Sequence, residues 1–287
     1  SIGDLNIQNC VPKLKSRLVF SALDASVAGD IETEFAQNGY YVISNSKNHR
    51  FDEDVPLLIP EVNHEHLEIV KGKKGAIITN PNCSTIGLSL GIKPLFDQFG
   101  IDSLNVVTMQ AISGGGYPGV PSMDILGNVV PYIGGEEEKI MKEPLKILGS
   151  VEDGKIVNTT FKISAQCNRV PVVDGHLETV KVKLTNKASA DEIISAWTDF
   201  TSLPQKLKLP SAPAKPIHYY YEDHLPQPRL NSNDENGMAV SIGRLRECVL
   251  FDYKFIVLSH NTIRGAAGGT LLAAELMKAQ GYLDGVL

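Results

Sequence analysis

Gly75-Ala76-Ile77-Ile78-Thr79-Asn80-Pro81-Asn82-Cys83-Ser84-Thr85-Ile86-Gly87 reads as an apolar strand over Ala76 to Thr79, a polar turn, and a helix running from Cys83 to about Gly100. Asn80 and Asn82 are cap-forming residues, Pro81 fixes the approach, and Ser84 and Thr85 keep the first helical turn polar. A helix start presents unpaired backbone N–H groups and the positive end of the macrodipole, so a thiol at Cys83 is biased toward thiolate, the form that attacks carbonyl carbon. Beyond that turn the helix is ordinary, because Ile86, Leu90, Leu95 and Phe96 recur at roughly helical spacing and belong to a core. The competing reading of Cys83 is a small buried hydrophobe, the commoner fate of a free cysteine.

Upstream, strands and helices alternate. Leu18 to Ser21 reads as a strand, Val27 to Asn38 as a helix, and Tyr40 to Ser44 and Leu57 to Ile59 as further strands before the one that leads to Cys83. That is the grammar of a parallel sheet. The turns Asp24-Ala25-Ser26 and Asn45-Ser46-Lys47-Asn48 follow strand ends, where open α/β sheets place ligand contacts. A glycine-rich dinucleotide turn is expected after a first strand in this grammar, and none stands in the sequence, so the chain is expected to start inside a nucleotide-binding domain. The alternative is a domain that never bound a nucleotide.

Downstream of about Asn105 the strands lengthen and helices thin out. After Val106 to Gln110, the segments Lys162 to Cys167, Val180 to Leu184, Ile217 to Tyr221, Ala239 to Ile242 and Phe255 to Ser259 read as a second, antiparallel or mixed sheet. Helices over Glu136 to Leu148 and Asp191 to Phe200 are placed to cover one face of it. Leu203 to Pro216 reads as a surface loop, and a last helix spans about Gly265 to Gln280 behind the small-residue run Gly265-Ala266-Ala267-Gly268-Gly269.

Composition narrows the function. A chain of 287 residues, 43% of them hydrophobic, can bury a core large enough for two domains. A net charge of −6 without clustered Lys and Arg argues against a nucleic-acid surface. The 4 cysteines, Cys10, Cys83, Cys167 and Cys248, form no C-x-x-C pair, so neither a disulfide framework nor a metal site is expected, and a reducing cytoplasm fits best. No segment is apolar for long enough to cross a bilayer. The chain begins at Ser1, so any address carried upstream would be invisible.

Two further segments carry chemistry. Ser113-Gly114-Gly115-Gly116 follows an apolar strand, and its open amides suit an anion or a flat ring, although a simple turn explains it equally. In Cys167-Asn168-Arg169-Val170-Pro171-Val172-Val173-Asp174-Gly175-His176, Arg169 ends one strand and His176 begins the next, which can aim both at one pocket. Arginine offers a fork for a carboxylate, and histidine handles protons near neutral pH.

These segments resemble one family, aspartate-semialdehyde dehydrogenase, and within it the fungal and archaeal branch. The resemblance runs through Asn80-Pro81-Asn82-Cys83-Ser84, Gln110-Ala111-Ile112-Ser113-Gly114, Asn128 to Lys139, Cys167 to His176, and Ser259-His260-Asn261-Thr262-Ile263-Arg264-Gly265 with the small residues that follow. It implies an NADPH-dependent, reversible conversion of β-aspartyl phosphate to aspartate semialdehyde and phosphate, on the route to lysine, threonine and methionine. Cys83 then resembles the nucleophile, His176 the acid/base, and Gln110 a residue that places the substrate. Arg169 resembles the holder of the substrate α-carboxylate and Glu136 the partner of its ammonium, with Glu137 and Glu138 adjacent alternatives. Arg50, Lys139 and Asn82 resemble the phosphate cradle, and Ser113, Gly114, Gly115 and Asn261 the nicotinamide end of an NADP site. The implied partners are a small-molecule substrate and inorganic phosphate, with no nucleic acid, no membrane, and assembly as a homodimer or homotetramer. The runner-up is a related thioacyl reductase acting on N-acetylglutamyl phosphate or malonyl-CoA. Another is an inert assembly module.

The expected fold is therefore α/β: an incomplete Rossmann-like parallel-sheet domain over 1–83, an α+β catalytic and dimerisation domain with a mixed sheet over 84–264, and a helix at 265–287 that returns to the first domain.

Overall fold

A computed structural model describes residues 6–285 of the chain. Three short strands, β1 (Leu18–Ser21), β2 (Tyr41–Ser44) and β3 (Ala76–Thr79), form a parallel sheet in that order. β2 and β3 are buried throughout, as expected for strands covered on both faces. Helix α1 (Ala25–Gln37), N-capped by the Asp24 side chain accepting from Ser26 N, packs Phe35 with Tyr40, Val42 and Ile77 on one face.

The expected strand at Leu57 to Ile59 does not form. Only Leu57 bridges to Thr79. The Asn63 side chain instead takes the backbone groups that a neighbouring strand would satisfy, accepting from Ile59 N at 2.8 Å and donating to Leu57 O at 2.8 Å, and Pro60 opens a one-turn helix, α2 (Pro60–Asn63).

Helix α3 (Cys83–Phe99) leads into a second sheet built from β4 (Ile101–Gln110), β7 (Lys162–Arg169), β8 (His176–Leu184), β9 (Ile217–Tyr220), β10 (Val240–Glu247) and β11 (Tyr253–Ser259) in the order β7-β4-β8-β11-β10-β9, and β5 (Ser150–Glu152) and β6 (Lys155–Val157) form a separate small hairpin. The large sheet is mixed: β4 and β7 are parallel, as are β9 and β10, and the other pairs are antiparallel. A one-turn helix α4 (Ser122–Ile125) precedes α5 (Glu136–Ile147), and α6 (Ala190–Thr198) follows β8. Leu88, Ile92 and Leu95 of α3, Ile140 and Ile147 of α5 and Trp197 of α6 pack with Val106, Val180, Val182, Phe255 and Val257 of the sheet. Burying one such side chain is worth about 1.5–3 kcal/mol. Packing of this size, rather than helical propensity, therefore holds α3, whose interior contains Gly87, Gly91 and Pro94.

The proline-rich segment expected as a surface loop is partly interior. It contains α7 (Leu203–Lys206), and Pro204, Leu209 and Pro213 are buried, with Ser211 held by the Glu275 carboxylate. After α8 (Pro228–Asn231), the last helix begins as a π-helical turn over Ile263–Ala267 and continues as α9 (Gly268–Ala279). Leu272, Leu276 and Met277 of α9 pack with Tyr41, Ile43 and Ile78 on the face of the parallel sheet opposite α1.

β4 lies between β7 and β8, so Gln110 pairs with Arg169 across one edge while Met109 pairs with Leu177 across the other. Arg169, Gln110 and His176 thus end or begin three adjacent strands at one edge, beside the N-terminus of α3. Two residues past His176, Glu178 is buried in the core with neither carboxylate oxygen hydrogen-bonded. Burial holds its carboxyl well above the usual range. A carboxyl raised in the folded state is protonated there but ionised in the unfolded chain, so its contribution is complete below about pH 4.5 and is lost as pH rises toward the folded value. Glu178→Gln is accordingly expected to gain stability relative to the parent as pH rises from 4 to 8 in urea titrations. A gap that is constant with pH would show that Glu178 is ionised in the fold.

Candidate active site

Cys83 is the first residue of α3, and Asn82 caps the helix by accepting from Ser84 N at 3.0 Å and Thr85 N at 3.2 Å. Across the cleft, His176 Nε2 lies 3.3 Å from Cys83 Sγ. Ala111 N donates to His176 Nδ1 at 3.1 Å, so Nδ1 is an acceptor and the neutral ring carries its hydrogen on Nε2, facing sulfur. Burial, reinforced by Arg169, lowers His176 to about 3 and keeps it uncharged.

Burial works against the expected bias of the thiol toward thiolate. Burial, and next the Glu136 carboxylate, push Cys83 up to about 12, against the opposite pull of Arg50, the Ser84 N–H and Lys139. Withdrawal from water outweighs the helix terminus, whose contribution is typically about 0.3–1 kcal/mol, or less than one pKa unit. The surroundings therefore favour an uncharged thiol and imidazole.

Three polar side chains converge on Glu136, the first residue of α5. Its carboxylate accepts from Lys139 Nζ at 2.5 Å, Asn82 Nδ2 at 2.9 and 3.0 Å, and Gln110 Nε2 at 3.1 Å. Burial raises its carboxyl, but Lys139, Gln110 and Asn82 outweigh that and hold it below the usual range. Glu136 lines the cleft, whereas Glu137 turns away to accept from Cys167 N and Glu138 is exposed. Beside it, Arg50 is buried and donates to Glu143 Oε1 at 2.9 Å and Asn45 O at 2.9 Å, leaving its Nε without a partner.

The loop Ile112–Gly115 roofs the site. A Cβ on Gly114 would stand 2.8 Å from Arg169 Nη1 and 2.9 Å from His176 Nε2, so only glycine lets this backbone lie over both side chains. Arg169 Nη1 also donates to Ala111 O at 2.8 Å. Asn261 ties the roof down, donating to Ser113 Oγ at 2.8 Å and accepting from Gly175 N at 2.9 Å. Behind sulfur, a Cβ on Gly265 would stand 2.7 Å from Cys83 Cβ, and Asn80 Nδ2 donates to Gly265 O at 3.1 Å. His260 Nδ1 accepts from Thr262 N and Ile263 N, closing the start of the π turn.

A cleft of about 460 Å³ joins these parts. Cys83, Asn82, Gln110, Glu136, Lys139, Arg50, Ser113, Gly114 and Asn261 line it, as do Leu23 to Ala25 at the end of β1 and Asn45 to Lys47 at the end of β2. Arg169 and His176 lie beneath Gly114, while Gly115 is exposed and off the lining. Among the described residues, no cluster of His, Cys, Asp and Glu is placed to hold a metal, and no helix is long and apolar enough to cross a membrane.

Two domain families match the chain: semialdehyde dehydrogenase, NAD binding domain, over residues 2–70, and semialdehyde dehydrogenase, dimerisation domain, over residues 92–264. The chain is 49% identical over 268 residues to the aspartate-semialdehyde dehydrogenase of Methanothermobacter thermautotrophicus, covering 91% of this chain and 77% of that protein. The Candida albicans enzyme is 46% identical over 303 residues, covering 98% and 83%. The chain belongs to the aspartate-semialdehyde dehydrogenase family. Among solved aspartate-semialdehyde dehydrogenases, the Candida albicans structure with NADP superposes with a TM-score of 0.91 at 45% identity, over 97% of this chain and 83% of that one. The second aspartate-semialdehyde dehydrogenase of Vibrio cholerae superposes with a TM-score of 0.76 at 25% identity, over 91% and 79%.

The fold read as a parallel-sheet domain plus a mixed-sheet domain is that of aspartate-semialdehyde dehydrogenases. Sequence reasoning missed Ala111, whose N–H orients His176, and Glu143 and Lys146, which follow Glu136 and Lys139 along one face of α5. The spacing 136, 139, 143, 146 was the available signal.

Proposed function

We propose that this chain catalyses the reversible NADPH-dependent reduction of β-aspartyl phosphate to aspartate semialdehyde and phosphate through a thioacyl intermediate on Cys83. The observation that carries the mechanism is the pair of Cys83 Sγ and His176 Nε2 at 3.3 Å, at a cleft that Arg50, Lys139 and Glu136 also line.

The substrate is an amino acid with a free ammonium and a carboxylate. Arg169 supplies the fork for the α-carboxylate, and Glu136 supplies the negative charge that faces the ammonium. N-acetylglutamyl phosphate and malonyl-CoA have no ammonium for Glu136 to meet, which disfavours both. Arg50, Lys139 and Asn82 cradle the phosphate, and Gln110 helps place the acyl group beside sulfur.

In acylation, sulfur attacks the acyl carbon, the carbon–oxygen bond to phosphate breaks, and the thiol proton ends on the departing phosphate. His176 presents Nε2–H to the charge that develops on sulfur and then on the carbonyl oxygen, a use that its fixed tautomer suits better than removal of the thiol proton. His176 keeps the expected acid/base role, and the tautomer set by Ala111 N favours donation from Nε2–H. NADPH held against Ser113 and Gly114 would supply the hydride. Collapse of the resulting tetrahedral oxyanion breaks the carbon–sulfur bond, releases the aldehyde, and returns a thiolate that takes up one proton.

The bare backbone of Gly114 and the fixed hydroxyl of Ser113 would hold the nicotinamide end of the cofactor, with Asn261 setting that roof and Gly115 continuing the turn outside it. Leu23 to Ala25 extend the same wall past the end of β1. The domain division 1–83, 84–264 and 265–287 is supported by the packing of α9 on the parallel sheet, although residues 1–5 and 286–287 lie outside the described chain. A homodimer or homotetramer is supported by the exposed apolar side chains Tyr117, Met123, Leu126 and Tyr132 between β4 and α5. Four unpaired cysteines suit a reducing cytoplasm.

The test is intact-mass analysis after brief exposure to β-aspartyl phosphate without cofactor. A hydroxylamine-sensitive aspartyl adduct on Cys83 is expected. No adduct, with the fold intact, would remove the thioacyl route.

A further inference from the structure

Arg50 is carried by the loop between β2 and α2, yet the groups that hold this loop belong to a helix almost a hundred residues later in the chain. Lys146, near the end of α5, donates from Nζ to Arg50 O at 2.8 Å, Asp52 O at 2.6 Å and Val55 O at 2.8 Å. An ammonium has three N–H donors, and all three are used on backbone carbonyls. Lys146 is 2% exposed, and no carboxylate lies within ion-pair distance of it among the described residues. Burying a lysine head without a carboxylate costs stability, and the three backbone carbonyls are what offset that cost. What the ammonium uniquely does is gather three carbonyls and thereby dictate the path of the loop.

One turn earlier on the same face, Glu143 is fully buried and divides its carboxylate. Oε1 accepts from Arg50 Nη1 at 2.9 Å, and Oε2 accepts from Asn82 N at 2.7 Å, immediately before Cys83. A single carboxylate therefore fixes the distance between the guanidinium and the start of the nucleophile's helix. Glu143 takes one N–H of Nη1 and Asn45 O one of Nη2, so each terminal nitrogen of Arg50, which lines the cleft, keeps a second N–H for an anion. The hairpin that follows α5 adds a third hold, because Ile156 N donates to Glu53 O at 2.8 Å.

We propose that Lys146 and Glu143 are positioning residues for the phosphate site: they clamp the Arg50 loop to α5 and so set Arg50 against Lys139 and Cys83. The inference rests on the reading of Arg50 as a phosphate ligand. It assigns α5 a single organising face, on which Glu136 and Lys139 meet the substrate while Glu143 and Lys146 act through Arg50.

The test uses the oxidative direction, in which phosphate is a varied substrate. Lys146→Met is expected to raise the KM for phosphate about tenfold or more, as a displaced binding group does, while the KM for aspartate semialdehyde stays within about twofold. Because Lys146 acts through Arg50, adding Lys146→Met to Arg50→Ala should raise the phosphate KM little beyond Arg50→Ala alone. If Lys146→Met does not fold, Glu143→Gln, which preserves the shape of the carboxylate, enters the same cycle with Arg50→Ala and is expected to be equally non-additive. Additive effects, or an equal rise in both KM values, would overturn the clamp while leaving Arg50 in place. An unchanged phosphate KM in Arg50→Ala would overturn the phosphate reading and this inference with it.

Discussion

Cys83→Ser is expected to lower turnover by about 10³-fold or more while leaving the melting curve nearly unchanged. Serine fits the space of the thiol, and Asn82 would still cap α3. What changes is the nucleophile. A hydroxyl holds its proton far more tightly than a thiol and gives an ester in place of the reactive thioester that hydride must reduce. The resting pair sharpens the prediction. With Cys83 pushed up to about 12 by burial and Glu136, and His176 lowered to about 3 by burial and Arg169, the surroundings favour the uncharged pair over thiolate and imidazolium. Alkylation of Cys83 by iodoacetamide is therefore expected to keep accelerating with pH beyond pH 9, with no plateau at lower pH. Turnover of Cys83→Ser within tenfold of the parent would remove sulfur from the mechanism, and an alkylation plateau below pH 7 would restore the charged pair.

The placement of Cys83 at a capped helix start was legible because strand, turn and helix leave local signatures, and Asn82 and Cys83 occupy positions fixed by that local geometry. Arg169, Gln110 and His176 were each legible as strand termini. That they share one edge follows from β4 inserting between β7 and β8, a pairing that periodicity does not reveal. Leu57 to Ile59 misled because an apolar run looks the same whether a strand or an asparagine side chain satisfies its backbone. Glu143 and Lys146 were missed because charges spaced along a helix read as a solvated face, and only tertiary packing turns that face inward. The choice of Glu136 over its two neighbours is a matter of helical rotation: successive residues point about 100° apart, and one of the three faces the cleft. Only one side of the thiol's balance was legible, for a related reason. A helix terminus is visible in sequence, whereas the desolvation that outweighs it belongs to the folded interior.

Glu61→Ala is expected to destabilise the fold by about 3–5 kcal/mol, the range for breaking a buried ion pair from one side. Arg264 donates to both oxygens of Glu61, at 2.8 Å from Nη1 and 2.5 Å from Nη2, and the two side chains are 1% and 0% exposed. The pair joins α2 to the π turn, and its Arg264 Nε already lacks a partner, so nothing nearby replaces the lost carboxylate. A loss of this size is a large share of the roughly 5–15 kcal/mol that holds a typical domain. Urea titration of the variant measures it directly, and the double variant Glu61→Leu/Arg264→Met should recover most of the loss by removing both charges. The consequence extends to chemistry, because Arg264 precedes Gly265, the residue whose missing side chain lets the π turn touch Cys83. A cost below about 1 kcal/mol in Glu61→Ala would mean that water reaches the guanidinium, and that the turn behind the nucleophile is held by Asn80 and His260 without the help of the ion pair.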